Sequence, residues 1–420
     1  MTNKNEFERS SLNLFALMML ANACNYIFQI VMGNMLTVEE FGSMNTLLSL
    51  FTIFSVPTTI ITLISARYIA IFDTTHNKEG LYKTLKFLIA LTAGIMLLVL
   101  LGGISLSGVL TSSLKLNNQF YIIAVVILAS VGFLRSIANG VLQGTKKFVP
   151  YGIQNFLVMI GKLIFSCLFV WMGYRLYGIL TAMGLAMVLS FCYAIFYIRD
   201  YLTEMSHSNT TAYQLEYKDM FRFIAGTVCA QCCIELISNS DMLLVKRYFT
   251  ETEAGTYSSA MVIGKIAMYL STAIITALFP LVVEAKAKNK ATTRLLGKAI
   301  AYGGGAALVC SAGLSIFGKL IINLLFGERY SSAINMLPWV SLFIVPLTLV
   351  VIVMNYTVAL GKTFVFAASS FTGVALIYLL VIQFHSSIRN VMIIFSVVLS
   401  IVFIINMIYL LLCNRKLEEI

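Results

Sequence analysis

The feature that most limits the fold of this chain is a series of apolar runs, separated by short polar connections. Each run is about 20 residues or longer, which is the length that an α-helix needs to cross a bilayer. About twelve such runs occur, so the sequence predicts about twelve transmembrane helices. The predicted spans are 11–35, 43–69, 84–109, 119–142, 150–172, 176–199, 221–249, 257–283, 296–317, 335–358, 364–384 and 391–413.

Composition places the chain among all-α polytopic membrane proteins and excludes an ordinary soluble domain. Hydrophobic residues make up 59% of the chain and charged residues 11%, and the mean hydropathy is +0.90, which are membrane-protein values. The first apolar run continues to Met35, too far for the core of a signal peptide, so we interpret it as a retained span. The eight cysteines lie almost entirely in apolar runs and predict no disulfide framework.

Positive charge is distributed unequally between the two sides of the predicted membrane region. Of the 29 Lys and Arg residues, 19 fall on one side, seven on the other and three inside spans. Cytoplasmic loops carry the excess of Lys and Arg in membrane proteins, so we expect both termini to be cytoplasmic. The net charge of +11 is therefore a topology signal, and nucleic acid is not an expected partner.

The chain also carries signs of an internal duplication. Residues 36–42 align with residues 249–255 at an offset of 213, about half of the 420-residue chain, and 144–149 resemble 361–365. An even number of spans in each repeat predicts two pseudo-symmetric six-helix bundles, related by an axis along the membrane normal, with the substrate path between them. The predicted parts are an N-terminal lobe at 1–205, a cytoplasmic central loop at 206–220 and a C-terminal lobe at 221–420.

Five charged side chains lie inside predicted spans, where each costs roughly 2.5 kcal/mol or more. They are Arg135, Lys162, Glu235, Asp241 and Lys265. The cations outnumber the acids, so the interior is predicted to lean positive and to suit an anionic cargo. Lys162 is near the middle of its span, whereas Arg135 lies about 10 Å from a span end, where snorkelling of its side chain is an open alternative.

The two acids have separate interpretations. Asp241 and Lys265 are each eight residues from the outer ends of consecutive spans, which favours a structural salt bridge over a direct role in binding substrate. Glu235 is nearer the midplane and is a candidate coupling site. Coupling to H⁺ or Na⁺ stays open, and no other cofactor is expected.

Neutral polar residues form stripes at helical spacing in several spans, and such faces do not point at lipid. Hydrogen bonding between helices and lining of a polar cavity are both open interpretations. In the second span, Pro57 predicts a kink. The residues assigned to the cavity lining are Asn22, Asn25, Gln29, Thr52, Thr59, Asn139 and Asn155.

Three cysteines, Cys229, Cys232 and Cys233, are close enough in sequence to resemble a metal or redox cluster. Neither a second cysteine pair nor a nearby histidine completes a set of four ligands. Packing by small polarizable side chains is the favoured interpretation, and no metal site is expected.

Several motifs together resemble one family. They are Ser240–Val245 (SDMLLV), Glu253–Ala260 (EAGTYSSA), Glu39–Gly42 (EEFG), Pro280 and Phe326–Tyr330 (FGERY). This ensemble, spread over most of the chain, resembles the Wzx-like oligosaccharide flippases of the multidrug/oligosaccharidyl-lipid/polysaccharide exporter superfamily. The resemblance implies a flippase that moves a polyprenyl-pyrophosphate-linked oligosaccharide outward across a bacterial or archaeal cytoplasmic membrane by alternating access. It also implies a cationic central cavity, for which Arg135, Lys162 and Lys265 are the candidate residues.

Two alternatives are weighed against the flippase. An ion-coupled multidrug exporter of the same superfamily would have the same spans, but a site for cationic drugs is expected to lean acidic. An integral-membrane glycan polymerase or ligase usually needs a large outer loop, and the predicted outer loops do not exceed about twenty residues. We therefore expect a transporter rather than an enzyme. Its expected partners are the lipid-linked substrate and membrane lipids, with polymerase machinery as a further candidate.

Overall fold

The computed structural model describes residues 2–74, 78–204, 217–287, 292–360 and 363–418, and these are almost entirely helical, without β-strands. A π-helical turn at Ile300–Gly304 and a 3₁₀ segment at Glu328–Asn335 accompany fourteen α-helices. The helices are α1 (Thr2–Met35), α2 (Val38–Phe54), α3 (Val56–Thr74), α4 (Lys78–Ser113), α5 (Phe120–Gly144), α6 (Phe148–Trp171), α7 (Arg175–Glu204), α8 (Tyr217–Tyr248), α9 (Glu251–Ala287), α10 (Thr293–Ala299), α11 (Gly305–Leu325), α12 (Leu337–Leu360), α13 (Phe364–Phe384) and α14 (Ile388–Glu418).

These helices account for the predicted spans. Within the described part of the chain, eleven helical stretches are long and apolar enough to cross a membrane, with α2 and α3 forming one stretch and α10 to α11 another. Helix α9, at 37 residues, covers the twelfth predicted span. The predicted fold class, an all-α polytopic membrane protein with about twelve transmembrane helices, is confirmed.

The second span is broken where the sequence predicts a kink. Pro57 has no N–H to donate to the carbonyl four residues earlier, so the ladder of helical hydrogen bonds is interrupted. Helix α2 ends at Phe54, and Ser55 caps it while α3 begins at Val56. The backbone N–H and the hydroxyl of Thr58 both bond to the carbonyl of Ser55, at 2.9 and 2.6 Å, which restarts the helix.

The ninth span contains an irregularity that the sequence analysis did not predict. Residues Ile300–Gly304 form a π-helical turn between α10 and α11, and this segment includes two glycines that leave space for neighbouring helices. The hydroxyl of Ser271 in α9 donates to the carbonyl of Gly303 at 2.7 Å. A π turn disturbs the regular backbone bonds, and this side chain satisfies one of the carbonyls involved.

The internal duplication appears as two matching helix starts. At α2, the hydroxyl of Thr37 accepts from the N–H of Glu40, and the carboxylate of Glu40 accepts from the N–H of Thr37. Thr250 and Glu253 repeat this arrangement at the start of α9, with bonds of 3.0 and 3.2 Å. Both are capping boxes, which satisfy helix-end N–H groups reciprocally, and they are separated by the offset of 213 found in the sequence.

The described helices divide into two compact units. The first comprises residues Met1–Glu40 and Leu50–Phe221, and the second comprises Phe41–Ser49 and Arg222–Ile420. In the first unit, α6 packs against α1 and α7, and α5 packs against α3, α4 and α7. In the second, α9 packs against α11 and α12, and α14 packs against α12 and α13.

The first half of α2 packs within the second unit, although it is near the N-terminus. A Cβ atom on Gly42 would lie 2.6 Å from the backbone nitrogen of Gly255, so these equivalent glycines of the two repeats meet without room for a side chain. The ring of Phe41 lies 5.7 Å from that of Phe326 and 5.9 Å from that of Tyr330. Most of the predicted central loop, 205–216, lies outside the described residues, so the lobe boundaries stay predictions.

Candidate functional site

Lys162 is a buried cation held by neutral groups of the first unit. It lies on α6 and is only 7% exposed. Its Nζ atom donates to Oδ1 of Asn25 on α1 at 2.5 Å, and it lies 4.2 Å from the centre of the Phe28 ring. The structure therefore brings together two of the predicted site residues, Lys162 and Asn25, from spans that are more than 130 residues apart in sequence.

Arg135 is held in the same manner. Its Nη2 atom donates to Oδ1 of Asn155 on α6 at 2.7 Å, and Nδ2 of Asn155 donates to the carbonyl of Tyr151 at 2.9 Å. The Nε atom of Arg135 is buried without a hydrogen-bond partner. Asn155 precedes Lys162 by seven residues, or about 10 Å along α6, so α6 carries the contacts of both cations at two depths.

Neither of these cations forms an ion pair in the part of the chain that the structure describes. The ion pair described in the first unit joins Arg175 to Glu40 at 2.8 Å, with the Arg175 side chain 67% exposed. Burial of a charge is costly unless a partner compensates it. Lys162 and Arg135 therefore keep a positive charge that the described residues solvate only with amides, an aromatic ring and a backbone.

Other predicted lining residues have buried polar atoms without partners. Oε1 of Gln29 and Oδ1 of Asn139 are in this state, and so are the Tyr26 hydroxyl and both side-chain polar atoms of Gln154, which the sequence analysis did not single out. Buried polar groups are normally hydrogen-bonded, so these atoms favour a hydrated or ligand-contacting interior in this unit. Three predicted lining residues are less enclosed: Asn22 and Thr59 are exposed, and Thr52 is half-buried.

The two acids of α8 lie within the second unit. Glu235 accepts hydrogen bonds from Gln231 at 3.0 Å and from Nδ2 of Asn239 at 3.2 Å. Asp241 is 1% exposed and accepts from the hydroxyl of Tyr257 on α9 at 2.7 Å. The other carboxylate oxygen of Asp241, Oδ1, has no hydrogen-bond partner. Both acids are thus held by neutral donors.

The predicted salt bridge between Asp241 and Lys265 is not formed directly. Nζ of Lys265 donates instead to the carbonyl of Ser238 at 3.2 Å, and Tyr257 occupies the position facing Asp241. The reason is the start of α9, which is Glu251 rather than residue 257 as predicted. Lys265 therefore lies 14 residues, or about 21 Å, from the start of its helix, deeper than the predicted pair requires.

Lys246 is a buried cation that the sequence analysis assigned to the outer loops. It is 0% exposed in the structure. Its Nζ atom donates to the hydroxyl of Ser43 at 2.9 Å and lies 3.9 Å from a carboxylate oxygen of Glu251. Because its cover comes from α2, about 200 residues away in sequence, no local pattern marks it as buried.

The cysteines of α8 do not gather metal ligands in the described residues, where no group of three or more His, Cys, Asp or Glu side chains could hold a metal ion. Cys233 is buried with its Sγ atom 3.6 Å from the carbonyl of Ala367 on α13. This contact is typical of a packing role.

The fold is shared with solved transporters. An inward-facing structure of a multidrug resistance MATE family transporter of the MOP superfamily superposes with a TM-score of 0.76 at 15% identity, covering 98% of this chain and 99% of that one. A MATE transporter in a bent conformation gives 0.68 at 13% identity, covering 98% and 96%. An outward-facing structure of a multidrug resistance MATE family transporter also gives 0.68 at 13%, covering 98% and 97%. At these identities the likeness establishes the fold alone.

The helices and this likeness define a multi-pass membrane protein with the fold of the multidrug/oligosaccharidyl-lipid/polysaccharide exporter superfamily. The chain belongs to the polysaccharide biosynthesis protein family, whose profile matches residues 9–286. No curated protein matches the chain. The resemblance inferred from the sequence motifs is thus confirmed for the family and for the superfamily.

Proposed function

We propose that this protein is a flippase that carries a polyprenyl-pyrophosphate-linked oligosaccharide from the inner to the outer leaflet of a bacterial or archaeal cytoplasmic membrane, by alternating access. The observation that carries the proposal is the pair of buried cations in the first unit, Lys162 and Arg135, with neutral partners. Membership of the polysaccharide biosynthesis family favours this cargo. A pyrophosphate supplies the negative charge that these two side chains lack.

The physical task of the site is to replace water around a charged and polar head group. An unpaired polar group in hydrocarbon costs several kcal/mol, and a free sugar carries many. The amides, hydroxyls and cations of the first unit provide donors and acceptors for such a head, while the polyprenyl tail stays in lipid. With both termini cytoplasmic, an inside-negative potential favours outward movement of the anion by about 2.3 kcal/mol per charge per 100 mV.

The acids of the second unit are the proposed coupling groups. Glu235 and Asp241 are held by neutral donors, so each is able to accept H⁺ or Na⁺ without displacing a described salt bridge. This arrangement also favours a second candidate function, ion-coupled export of a cationic drug, because an acidic pocket suits a cationic ligand. The two functions differ in the unit that would hold the cargo.

The test is mass spectrometry of polyprenyl-linked intermediates in a host strain depleted of this protein. The flippase predicts that an oligosaccharide-pyrophosphate lipid accumulates and that it is accessible only from the cytoplasmic leaflet. Accumulation in the outer leaflet would instead indicate a later polymerisation or ligation step. If no lipid accumulates and depleted cells retain more of a cationic dye such as ethidium, the drug exporter is the correct function.

A further inference from the structure

We infer that Asn25 and Asn155 are specificity-determining residues, because each holds a buried cation with a neutral amide and leaves the charge of that cation available to an anion. The inference rests on the proposed function, since it takes the transported head group to be an anion. It assigns to these two residues a role beyond lining a cavity: they set the sign of the site.

The two contacts are built alike. Oδ1 of Asn25 accepts from Nζ of Lys162 at 2.5 Å, and Oδ1 of Asn155 accepts from Nη2 of Arg135 at 2.7 Å. Each amide fixes the position of one donor of its cation. A carboxylate has almost the same shape and would accept the same bond more strongly, so geometry alone does not call for asparagine here.

Charge explains the choice of an amide. A carboxylate at either position would complete a salt bridge and cancel the positive charge, and an entering anion would then have to compete with a covalently tethered one. Opposite charges within hydrogen-bonding distance attract strongly inside a protein, so this competition would weaken anion binding. An amide orients the donor with a dipole only. It also leaves the remaining donors of Lys162 and Arg135 able to contact phosphate oxygens.

The first unit offers an internal contrast. Arg175, at the start of α7, is paired with the carboxylate of Glu40 at 2.8 Å. That cation is compensated, exposed and outside the proposed site. Within the described residues of this unit, the compensated cation lies at a helix end and the two uncompensated ones lie inside spans. The difference follows the requirement for a free positive charge in the site.

The experiment measures equilibrium binding of inorganic pyrophosphate to the purified full-length protein in lipid nanodiscs at low salt. The variants are Asn25→Asp, Asn155→Asp and Asn25→Ala, with Asn117→Asp as the matched control. Asn117 is exposed between α4 and α5, so its substitution adds the same negative charge to the first unit away from both cations. The thermal unfolding transition of each variant establishes that it is folded.

We expect Asn25→Asp and Asn155→Asp each to lose more than about tenfold in affinity, because each cancels a charge that would bond to the anion. Asn25→Ala keeps the charge of Lys162 and should stay within about threefold of the wild type. Asn117→Asp should stay within about twofold, since a distant exposed charge is screened.

Equal losses in Asn25→Asp and Asn25→Ala would show that the amide has a structural role only, and would overturn the inference. Wild-type affinity in both aspartate variants would overturn it as well. Asn155→Asp provides an independent answer if Asn25→Asp does not fold. Failure of the wild-type protein to bind pyrophosphate would overturn the anionic cargo of the proposed function itself, and this result is distinguishable because it needs no variant.

Discussion

Replacing Lys162 with methionine separates the cost of a buried charge from its use. Methionine has nearly the length of the lysine stem and keeps its apolar packing against Phe28, but it removes the ammonium group. The protein would lose the hydrogen bond to Asn25 and the contact with the Phe28 ring. It would also be relieved of a charge that is 7% exposed and has no described ion pair.

The opposing terms are of similar size for stability but not for function. A hydrogen bond from a charged group contributes about 1.5–3 kcal/mol and a cation–π contact about 0.5–2 kcal/mol, whereas desolvating an ammonium costs several kcal/mol. We therefore expect the free energy of unfolding to stay within about 1 kcal/mol of the wild type or to rise. Loss of one charged hydrogen bond to pyrophosphate should weaken cargo binding by about 10- to 150-fold.

The assay pairs thermal unfolding of the purified variant with glycan export in cells, at matched protein levels. Lys319→Met is the control, because Lys319 is exposed near the end of α11. The expected result is a stable Lys162→Met protein that does not export and a Lys319→Met protein that does. Normal export by Lys162→Met would refute the assigned role, and a strongly destabilised variant would refute the assessment of its energetics.

The remaining predictions concern the second unit, and thermal or denaturant unfolding measures each of them. Tyr257→Phe removes the donor to Asp241 and should cost about 1–3 kcal/mol, the penalty for an unsatisfied buried group; an unchanged unfolding free energy would contradict this contact. Gly42→Ala places a Cβ 2.6 Å from backbone and should cost about 1–3 kcal/mol, whereas Gly313→Ala, with no atom within 4 Å of the added Cβ, should cost nothing, and equal effects would reject the close contact. Asp241→Asn and Lys265→Met should be nearly additive, with a coupling energy below about 1 kcal/mol, because they form no direct pair; a coupling of about 3 kcal/mol or more would restore the salt bridge.

Span positions could be predicted because the bilayer requires them. A lipid-facing backbone must satisfy its own hydrogen bonds, so long apolar runs have helices as their outcome whatever their neighbours are. Pro57 likewise marks the break between α2 and α3 by its missing donor. These are local constraints, and local sequence carries them.

The depth of Lys265 was predicted wrongly for an identifiable reason. The start of α9 was placed where the apolar run begins, but the helix begins six residues earlier, at Glu251. A signal for this start is present: Thr250 and Glu253 have the spacing of a capping box, and their bonds form in the structure. The two residues were used to detect the repeat, and the same pair also marks a helix terminus.

Contacts between distant segments could not be predicted from one sequence. Spacing indicated that Asn25 and Lys162 face into spans, but not that they meet, because their helices are far apart in the chain. Lys246 shows the same limit in reverse. It follows a polar pattern typical of a loop, and only the packing of Ser43 from α2 makes it buried.

The most direct measurement of the central claim is translocation in proteoliposomes. Purified protein would be reconstituted with a polyprenyl-pyrophosphate oligosaccharide, and an impermeant glycosidase would report how much lipid crosses the membrane. The account predicts crossing that depends on the wild-type protein and is lost with Lys162→Met. Crossing at the same rate in protein-free liposomes, or with Lys162→Met, would contradict a flippase that uses this buried cation.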